Sequence, residues 1–421
     1  MQLNINFSNN TLTAETFNDL GNAVRELEVG ALSFSEPIRK VIIKSMNGCL
    51  DAYDMHGYLF SSELTDLEAV DIMDTSKNLC SDDGLVYSKD FKDFIFCPLG
   101  KKGTIKIHEG TERVCEYACY ECTFSHLIIP DSVKVIDQYA FHRNKWLECV
   151  EGGYGLKSIG DMSFMNCIHL KDFHLGSNLK RIGESAFMNT QLTKIYLPEG
   201  LEYVGSHAFN TTNIQKNEEI SHITPDKMYD IHLPSSLKGI GRCAFCNAAN
   251  IYTKQVSFNI VGAGIRSAGQ SFGQGCDFWK LHIDGLQPIV MPKEVNSVNM
   301  VVRKVRLYAI GKTISPPEMY TESRRVVQFV VALEHRKLYP GKQVDEFLNE
   351  NIKRIFASTL LEKDGEKLMV GYIKSDVFTK EALESLLNYI ENSEDSAKYV
   401  SLRAYLLQAM TVKPSADIFE I

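Results

Sequence analysis

One position in the middle of this 421-residue chain returns at a nearly constant spacing, and it is almost always aromatic. Four successive members of the series are Phe141, Phe164, Phe187 and Phe209, at intervals of 23, 23 and 22 residues. Cys119 takes the position one step earlier. Phe245 takes it 36 residues after Phe209, which is one repeat plus an insertion of about 14 residues. We call these six positions the anchor column. Periods of 20–29 residues indicate stacked units, each too small to bury its own apolar face.

Two further columns keep step with the anchor column. The fourth residue before each anchor from Phe141 onward is Asp137, Gly160, Gly183, Gly205 and Gly241. The small residue directly before each anchor is Ala118, Ala140, Ser163, Ala186, Ala208 and Ala244. Three columns in register predict that each repeat is one coil of a solenoid, and that Phe187 and its equivalents fill the interior. We expect Gly183 to ease the turn back towards the next coil.

Each coil is predicted to contain a short strand. In LTKIYLP (Leu192–Pro198) the side chains of Leu192, Ile195 and Leu197 face inward, and the alternation at the end is that of a half-buried strand. A proline closes the strand because it has no N–H to continue the ladder.

The pattern L-x-x-I-G-x-x-A-F-x-x-C-x-x-L-x-x-I-x-L-P resembles the BspA-type leucine-rich repeat of bacterial and protist proteins. The resemblance spans about residues 40–290 and is most specific between 115 and 250. It implies a right-handed solenoid with short parallel strands on one face and a role in recognition. Many members of this family are surface adhesins with export signals. The segment Asp83–Gly110 is similar to a hairpin insertion found between such repeats.

The predicted fold class is therefore an α+β repeat, a solenoid followed by an α-helical domain. Residues 1–40 are expected to cap the open end, with LNINF as a strand and TAETFNDLGNAVREL as a helix after a threonine cap. The solenoid covers 41–295, with three irregular parts: a hairpin insertion at about 80–105, an insertion at about 213–227, and irregular last coils at 255–295.

Residues 296–421 are predicted to form the helical domain. Ser315, Pro316 and Glu318 form a capping box with a proline start, and three further segments carry apolar residues at helical spacing. The T-K-x-x-L-x-x-L-L motif near Thr379 resembles helical C-terminal arrays seen beside such repeats in bacterial proteins. These helices are a candidate second contact or oligomer interface.

Charge argues against nucleic acid as a partner. The net charge is −8, and residues 1–254 carry 24 Lys and Arg against 33 Asp and Glu, a balance of −9. A phosphate-binding surface needs clustered basic charge.

The longest apolar run, beginning at Val326, is far too short for a membrane span, and no secretory signal is visible at the start. A cytoplasmic location is expected, whereas the family resemblance allows an extracellular one.

No motif predicts a cofactor, a metal or a catalytic residue. The two C-x-x-C pairs, Cys119/Cys122 and Cys243/Cys246, lie five coils apart, roughly 24 Å at the spacing of parallel strands, so they cannot share one zinc ion. Their place in the repeat register favours buried structural thiols. We therefore predict a protein that is not an enzyme.

The outward strand positions are the candidate binding surface. If the inward residues are as above, the outward ones alternate between aromatic, histidine and charged side chains. The candidate residues are Glu151, Asp172, His174, Lys194, Tyr196, Asp230 and His232.

These residues predict a non-enzymatic scaffold that binds a protein or peptide partner through the strand-lined face. Three other functions stay open: an effector or toxin-like protein in which the repeats are the targeting module, a structural subunit of a larger assembly, and a surface adhesin that binds glycans. An ordinary solvated face without a ligand is the plain alternative for the candidate residues.

Overall fold

A computed structural model describes most of the chain. The residues described are 4–45, 52–73, 78–192, 194–210, 229–254, 264, 266–267, 278–292, 294–295, 301, 303–305, 325–360, 365–374, 377–393 and 396–412. Contacts divide the chain into two units. The first holds Met1–Gly264 with Ser271–Gly275, and the second holds Ile265–Gln270 with Cys276–Ile421. The insertion predicted at about 213–227 and the Ser315 capping box lie outside the described residues.

The first unit begins with a small sheet covered by helices. Its elements are β1 (Ile5–Ser8), β2 (Thr11–Thr16), α1 (Phe17–Glu28), β3 (Lys40–Ser45), α2 (Ala52–Leu59), a short 3-10 helix (Ser62–Leu64) and β4 (Ala69–Ile72). The Thr16 hydroxyl accepts a hydrogen bond from the Asp19 N–H, and the Asp19 carboxylate accepts one from the Thr16 N–H. This reciprocal cap starts α1, and the buried side of α1 packs into the apolar core beneath β2 and β3.

Three antiparallel strands follow, where the sequence placed a hairpin insertion. They are β5 (Leu79–Asp82), β6 (Leu85–Ser88) and β7 (Asp93–Phe96). From β7 to the strand Asp172–Phe173 the strands alternate between two sheets, because the chain crosses the solenoid once on either side; the strands Arg181–Ile182, Tyr203–Val204 and Gly239–Ile240 continue only the second of these sheets.

One of these two sheets, the front sheet, consists of β14 (Asp172–Phe173), β12 (Cys149–Gly152), β10 (His126–Ile129) and β8 (Thr104–Lys106). The other, the back sheet, consists of β18 (Gly239–Ile240), β16 (Tyr203–Val204), β15 (Arg181–Ile182), β13 (Ser158–Ile159), β11 (Val135–Ile136) and β9 (Arg113–Val114), and continues into β7, β6 and β5. All pairs within the front sheet, and those from β7 to β18 in the back sheet, are parallel. The predicted short parallel strands are confirmed.

The anchor column forms the core between the two sheets. Consecutive rings stack almost in parallel, with centroids 4.9 Å apart for Phe141 and Phe164 and 5.3 Å apart for Phe164 and Phe187. Every anchor from Cys119 to Phe245 is buried. The backbone also links coils here, because each anchor N–H donates to the carbonyl of the small residue before the next anchor, as from Phe164 to Ala186 over 2.8 Å. The Cys97 N–H donates in the same way to Ala118, so the column begins one coil earlier than the sequence suggested.

The glycine column has a different cause from the one expected. Gly183 was predicted to ease a turn, but none of the glycines of this column has a left-handed φ. A Cβ at Gly160 would lie 2.5 Å from the Asp137 carbonyl carbon and the Gln138 nitrogen of the preceding coil. A Cβ at Gly183 would similarly meet the backbone at Gly160 and Asp161. Glycine is required because neighbouring coils approach closely, not because the chain turns.

Replacing Gly160 by alanine should therefore lower the free energy of unfolding by about 1–3 kcal/mol. The added methyl group would press on backbone atoms, which cannot move aside as the end of a side chain can. Gly57→Ala is the matched control, since a Cβ there has no atom within 4 Å and alanine favours its helix. Denaturant midpoints of the two variants measure the difference, and equal midpoints would contradict the close-approach explanation.

The first unit also contains β17 (Tyr229–His232) and β19 (Ala248–Thr253), which pair in parallel. These strands belong to neither the front nor the back sheet. The second unit includes an antiparallel hairpin, β21 (Phe278–Ile283) and β22 (Ile289–Pro292), and a parallel pair, β20 (Arg266–Ser267) and β23 (Glu294–Val295). The hairpin lies in the stretch predicted as irregular last coils, and the exact domain boundary stays a prediction.

Most of the other described residues of the second unit lie in helices, as predicted. Its helices are α3 (Arg325–Leu338), α4 (Lys342–Glu350), α5 (Ile352–Thr359), α6 (Gly365–Lys374), α7 (Lys380–Glu391) and α8 (Val400–Val412), with a 3-10 turn at Ser396–Lys398. Thr379 caps α7 by accepting from the Ala382 N–H, and α7 packs against α5 and α8. On α8, Leu402 and Leu406 are buried while Val400 and Leu407 are exposed. Oligomerisation through these helices stays a prediction.

Candidate functional site

The front sheet brings part of the candidate surface together in one register. Cys149 pairs with His126 on one side and with Asp172 on the other, and Ile128 pairs with Glu151. Side chains of like register point the same way from a parallel sheet, at about 4.8 Å between strands. Glu151 and Asp172 are both exposed on this outward surface.

The next three candidate residues extend the same side of the molecule. His174 directly follows β14, and Lys194 and Tyr196 lie in the next coil, beyond the last strand of the front sheet. All three are exposed, and 72% of the Tyr196 side chain is accessible. Of the predicted inward residues in this coil, Ile195 is buried, whereas Leu192 and Leu197 are half-buried.

Asp230 and His232 are not part of the front sheet. They lie on β17, where the Asn250 amide donates to the Asp230 carboxylate over 2.6 Å and the His232 ring stacks on Tyr252 at 4.4 Å. Both are exposed, but they lie in a separate sheet, so the predicted outward residues do not all belong to one surface.

Charged side chains on and beside the back sheet are held by neighbouring coils. The Arg113 Nε lies 2.6 Å from the Asp137 carboxylate, and the Lys238 Nζ lies 2.6 Å from that of Glu202. The Arg181 guanidinium lies 4.3 Å from the centroid of the Tyr203 ring. Exposed pairs like these contribute only about 0–1 kcal/mol each to the free energy of unfolding. These charged side chains nevertheless already have a partner within the protein.

The front sheet differs from β12 onward. On β8 the Lys106 Nζ lies 3.9 Å from the Glu109 carboxylate of the same coil. From β12 onward, however, six charged or histidine side chains on and beside the sheet have no hydrogen bond or ion pair to another described side chain. These residues are Glu148, Glu151, Lys171, Asp172, His174 and Lys194. These six side chains are therefore open to solvent or to a partner, whereas the pairs named above join charges of neighbouring coils on the back sheet.

Sequence reasoning missed two exposed aromatic residues next to this surface. Trp146 precedes β12 with 60% of its side chain accessible, and its ring stacks on His169 of the next coil at 6.1 Å. Tyr154 follows β12 and is 54% accessible. Alternation from the inward residue Leu147 already points Trp146 outward, so extending the strand pattern by one residue finds it. Exposed tryptophan and tyrosine are the residue types that dominate binding hot spots.

The carboxylates of the front sheet affect the pKa of the Cys149 thiol, which lies on its strand β12. Cys149 is half-buried, and its pKa is raised by burial first and then by the carboxylates of Glu151 and Asp172. The strand register agrees with this, because Asp172 is paired with Cys149 and Glu151 lies two residues after it on β12.

The other cysteines of the repeats have a structural task. The Cys122 thiol donates to the Cys97 carbonyl over 3.4 Å, and the Cys167 thiol donates to the Phe141 carbonyl over 3.2 Å. In the same column the Asn144 amide donates to the Cys119 carbonyl. Burial raises the pKa of Cys119, Cys122 and Cys167, so these thiols stay protonated. Over the part of the chain that is described, no three His, Cys, Asp or Glu side chains are arranged to hold a metal ion.

One histidine is buried at a corner of the solenoid. The His142 ring stacks on Tyr120 at 5.2 Å and meets Tyr139 edge-on, with 8% of its surface accessible. Its Nδ1 atom is buried without a hydrogen-bond partner. Burial, and next the positive charge of Arg143, lowers the pKa of His142 to about 4, against a smaller opposite effect of Glu121.

A model of the BspA type leucine-rich repeat region matches residues 112–225 in six copies. No curated protein sequence matches the chain. None of the helices described here is long and apolar enough to cross a lipid bilayer.

Several solved structures are similar. A leucine-rich repeat protein from Eubacterium ventriosum is 15% identical, with 49% of this chain and 58% of that chain covered and a TM-score of 0.33. The pneumococcal vaccine antigen PcpA is 17% identical, with coverage of 60% and 55% and a TM-score of 0.33. A leucine-rich repeat protein from Bacteroides ovatus is 13% identical, with coverage of 67% and 75% and a TM-score of 0.34. The matched part of the chain thus spans little more than half the length of the first two.

Proposed function

We propose that the chain is a non-enzymatic scaffold that binds a protein or peptide partner on its front sheet, because residues 112–225 match a model of the BspA type leucine-rich repeat region. Leucine-rich repeats support protein interaction or surface scaffolding and are typically not catalytic. A preformed solenoid binds with little backbone rearrangement, through many modest contacts.

The contrast between the two sheets carries this proposal. Among the described residues, Arg113 with Asp137 and Lys238 with Glu202 join charges of neighbouring coils on the back sheet, whereas the six residues named above beside the front sheet have no such pair. The unpaired Glu148 and Lys194, together with the exposed Trp146 and Tyr196, suit a polar partner surface.

A double variant tests the surface. Lys194→Ala with Tyr196→Ala should weaken binding of the partner roughly tenfold or more while leaving the melting temperature nearly unchanged, because both side chains are exposed. Partners captured from the source organism and identified by mass spectrometry supply the ligand for titration calorimetry.

The matched control is Lys238→Ala with Tyr203→Ala, which removes the same two residue types from the back sheet. A partner that binds the wild type and the control but loses affinity for the front variant supports the proposal. Equal affinity for all three proteins rejects the front sheet as the binding surface.

A location inside the cell stays a prediction, since proteins with BspA-type repeats are often found at the cell surface.

A further inference from the structure

We propose that Cys97 and Cys119 form a disulfide when the folded chain meets hydrogen peroxide, with Cys97 as the nucleophile and Cys119 as the second thiol. The bond joins the end of β7 to the first coil of the repeats, and so it fastens the antiparallel strands β5–β7 to the solenoid. This inference concerns the interior of the solenoid and does not depend on the proposed binding surface.

Cys97 and Cys119 are neighbours in the anchor column. The Cys97 N–H donates to the Ala118 carbonyl over 2.7 Å, and the Cys119 N–H donates to the Ala140 carbonyl over 2.7 Å. The two cysteines therefore hold the same place in successive coils. Neighbouring parallel strands lie about 4.8 Å apart, and a disulfide requires Cα atoms about 4.4–6.8 Å apart. The register thus brings two thiols within bonding distance without a change of fold.

A third thiol completes a cluster with these two. The Cys122 thiol lies 3.4 Å from the Cys97 carbonyl oxygen, and the Cys97 sulfur is in hydrogen-bond contact with the thiols of both Cys119 and Cys122. Each of the three side chains is at most 1% exposed, and none is in a disulfide. The sulfur atoms are therefore already in contact in the reduced protein.

The cluster makes Cys97 the most nucleophilic of the three cysteines. Burial alone raises the pKa of Cys97, but hydrogen bonds from Cys119 and then Cys122, together with the Lys101 ammonium, lower it below its ordinary value. Burial raises the pKa of Cys119 and Cys122, so these two remain thiols. A thiolate next to a neutral thiol is the arrangement in which a sulfenic acid is converted into a disulfide.

The reaction needs hydrogen peroxide as its only co-reactant. The Cys97 thiolate attacks one peroxide oxygen, the O–O bond breaks, and Cys97 becomes a sulfenic acid while hydroxide leaves and takes up the proton that Cys97 had released. The Cys119 sulfur then attacks the Cys97 sulfur, the S–O bond breaks, and the Cys119 proton leaves with the hydroxyl group as water. The two thiols lose two electrons, and the peroxide gains them and becomes two molecules of water. Since the cluster is buried, the oxidant must be small and must enter through local opening of the coils.

The test treats the folded full chain with hydrogen peroxide, blocks the remaining thiols with iodoacetamide in denaturant, and maps disulfides by mass spectrometry without reduction. Cleavage at glutamate, lysine and arginine leaves Cys97, Cys115, Cys119 and Cys122 in four different peptides. The peptides of Cys97 and Cys119 should become linked roughly tenfold or more faster than Cys167 is oxidised. Cys167 is the matched control, because it is equally buried and burial raises its pKa.

Two variants separate the roles within the cluster. Cys122→Ala should still form the link between Cys97 and Cys119. Cys119→Ala should lose this link and should also oxidise more slowly at Cys97, because the thiol whose hydrogen bond lowers the pKa of Cys97 is gone. Protection of Cys167 from iodoacetamide before denaturation shows that each variant is folded.

Three results would overturn the inference. They are a wild-type chain in which Cys97 stays reduced while Cys167 is oxidised, a first disulfide between any other two cysteines, and oxidation of Cys97 in Cys119→Ala at the wild-type rate.

Discussion

Replacing Phe187 by alanine should lower the free energy of unfolding by about 3–5 kcal/mol. The ring is 1% exposed and lies between Phe164 and Phe209, with centroid distances of 5.3 Å and 5.2 Å. It also meets the Phe173 ring at 5.7 Å. Removing it leaves a cavity that the stacked backbones cannot close, because the coils are tied by hydrogen bonds on both sides. Denaturant unfolding, followed by circular dichroism, measures the loss.

Tyr196→Ala is the control for this variant, since it removes an aromatic ring from the same repeat that is 72% accessible. Its free energy of unfolding should change by no more than about 0.5 kcal/mol. A wild-type midpoint for Phe187→Ala would show that the anchor column does not form the core. A large loss for Tyr196→Ala would show that the outward surface is structural.

Stability should also fall as the pH is lowered from 6.5 to 4, by about 3 kcal/mol from His142 alone. The pKa of this histidine is about 4 in the folded chain, below its ordinary value of 6.5, because the ring is buried beside Arg143. Between these two values the unfolded chain binds a proton and the folded chain does not. The contribution is therefore complete above pH 6.5, decreases through this window, and falls no further below pH 4.

The variant His142→Phe isolates this effect, because it keeps a ring against Tyr120 and removes the titrating group. The difference in unfolding free energy between wild type and His142→Phe, measured from pH 4 to pH 8, should follow the pH window above. His126→Phe, which removes an exposed histidine of the front sheet, is the matched control. Parallel curves for wild type and His142→Phe would contradict the assignment.

The repeat period predicted which residues of neighbouring coils lie next to each other, but not how closely the coils approach. Identical spacing places Phe164 above Phe141, and it places Asp172 beside Cys149, because a solenoid converts sequence distance into neighbouring strands. The period carries no information on how closely the coils approach, so the glycine column was assigned to a turn. Cys97 was missed because the antiparallel strands before it hide the register, although its backbone bond continues the column.

The candidate surface was predictable only where the period is unbroken. Glu151 and Asp172 follow from the spacing, whereas Asp230 and His232 come after the 36-residue interval and lie in another sheet. The pairing of charges on the back sheet cannot be read from the sequence, because both sheets carry similar numbers of charged residues. The choice between them depends on side-chain geometry, as the Arg113 and Asp137 pair shows.

The stacking of in-register coils also gives the front sheet a fixed pitch. Two coils advance by about 9.6 Å, twice the spacing of parallel strands. Three residues of a polyproline II segment advance by about 9.3 Å in one turn. A partner chain that lies across the coils in this conformation can therefore place every third side chain against every second coil. The front sheet would then select partners whose contact residues recur at every third position.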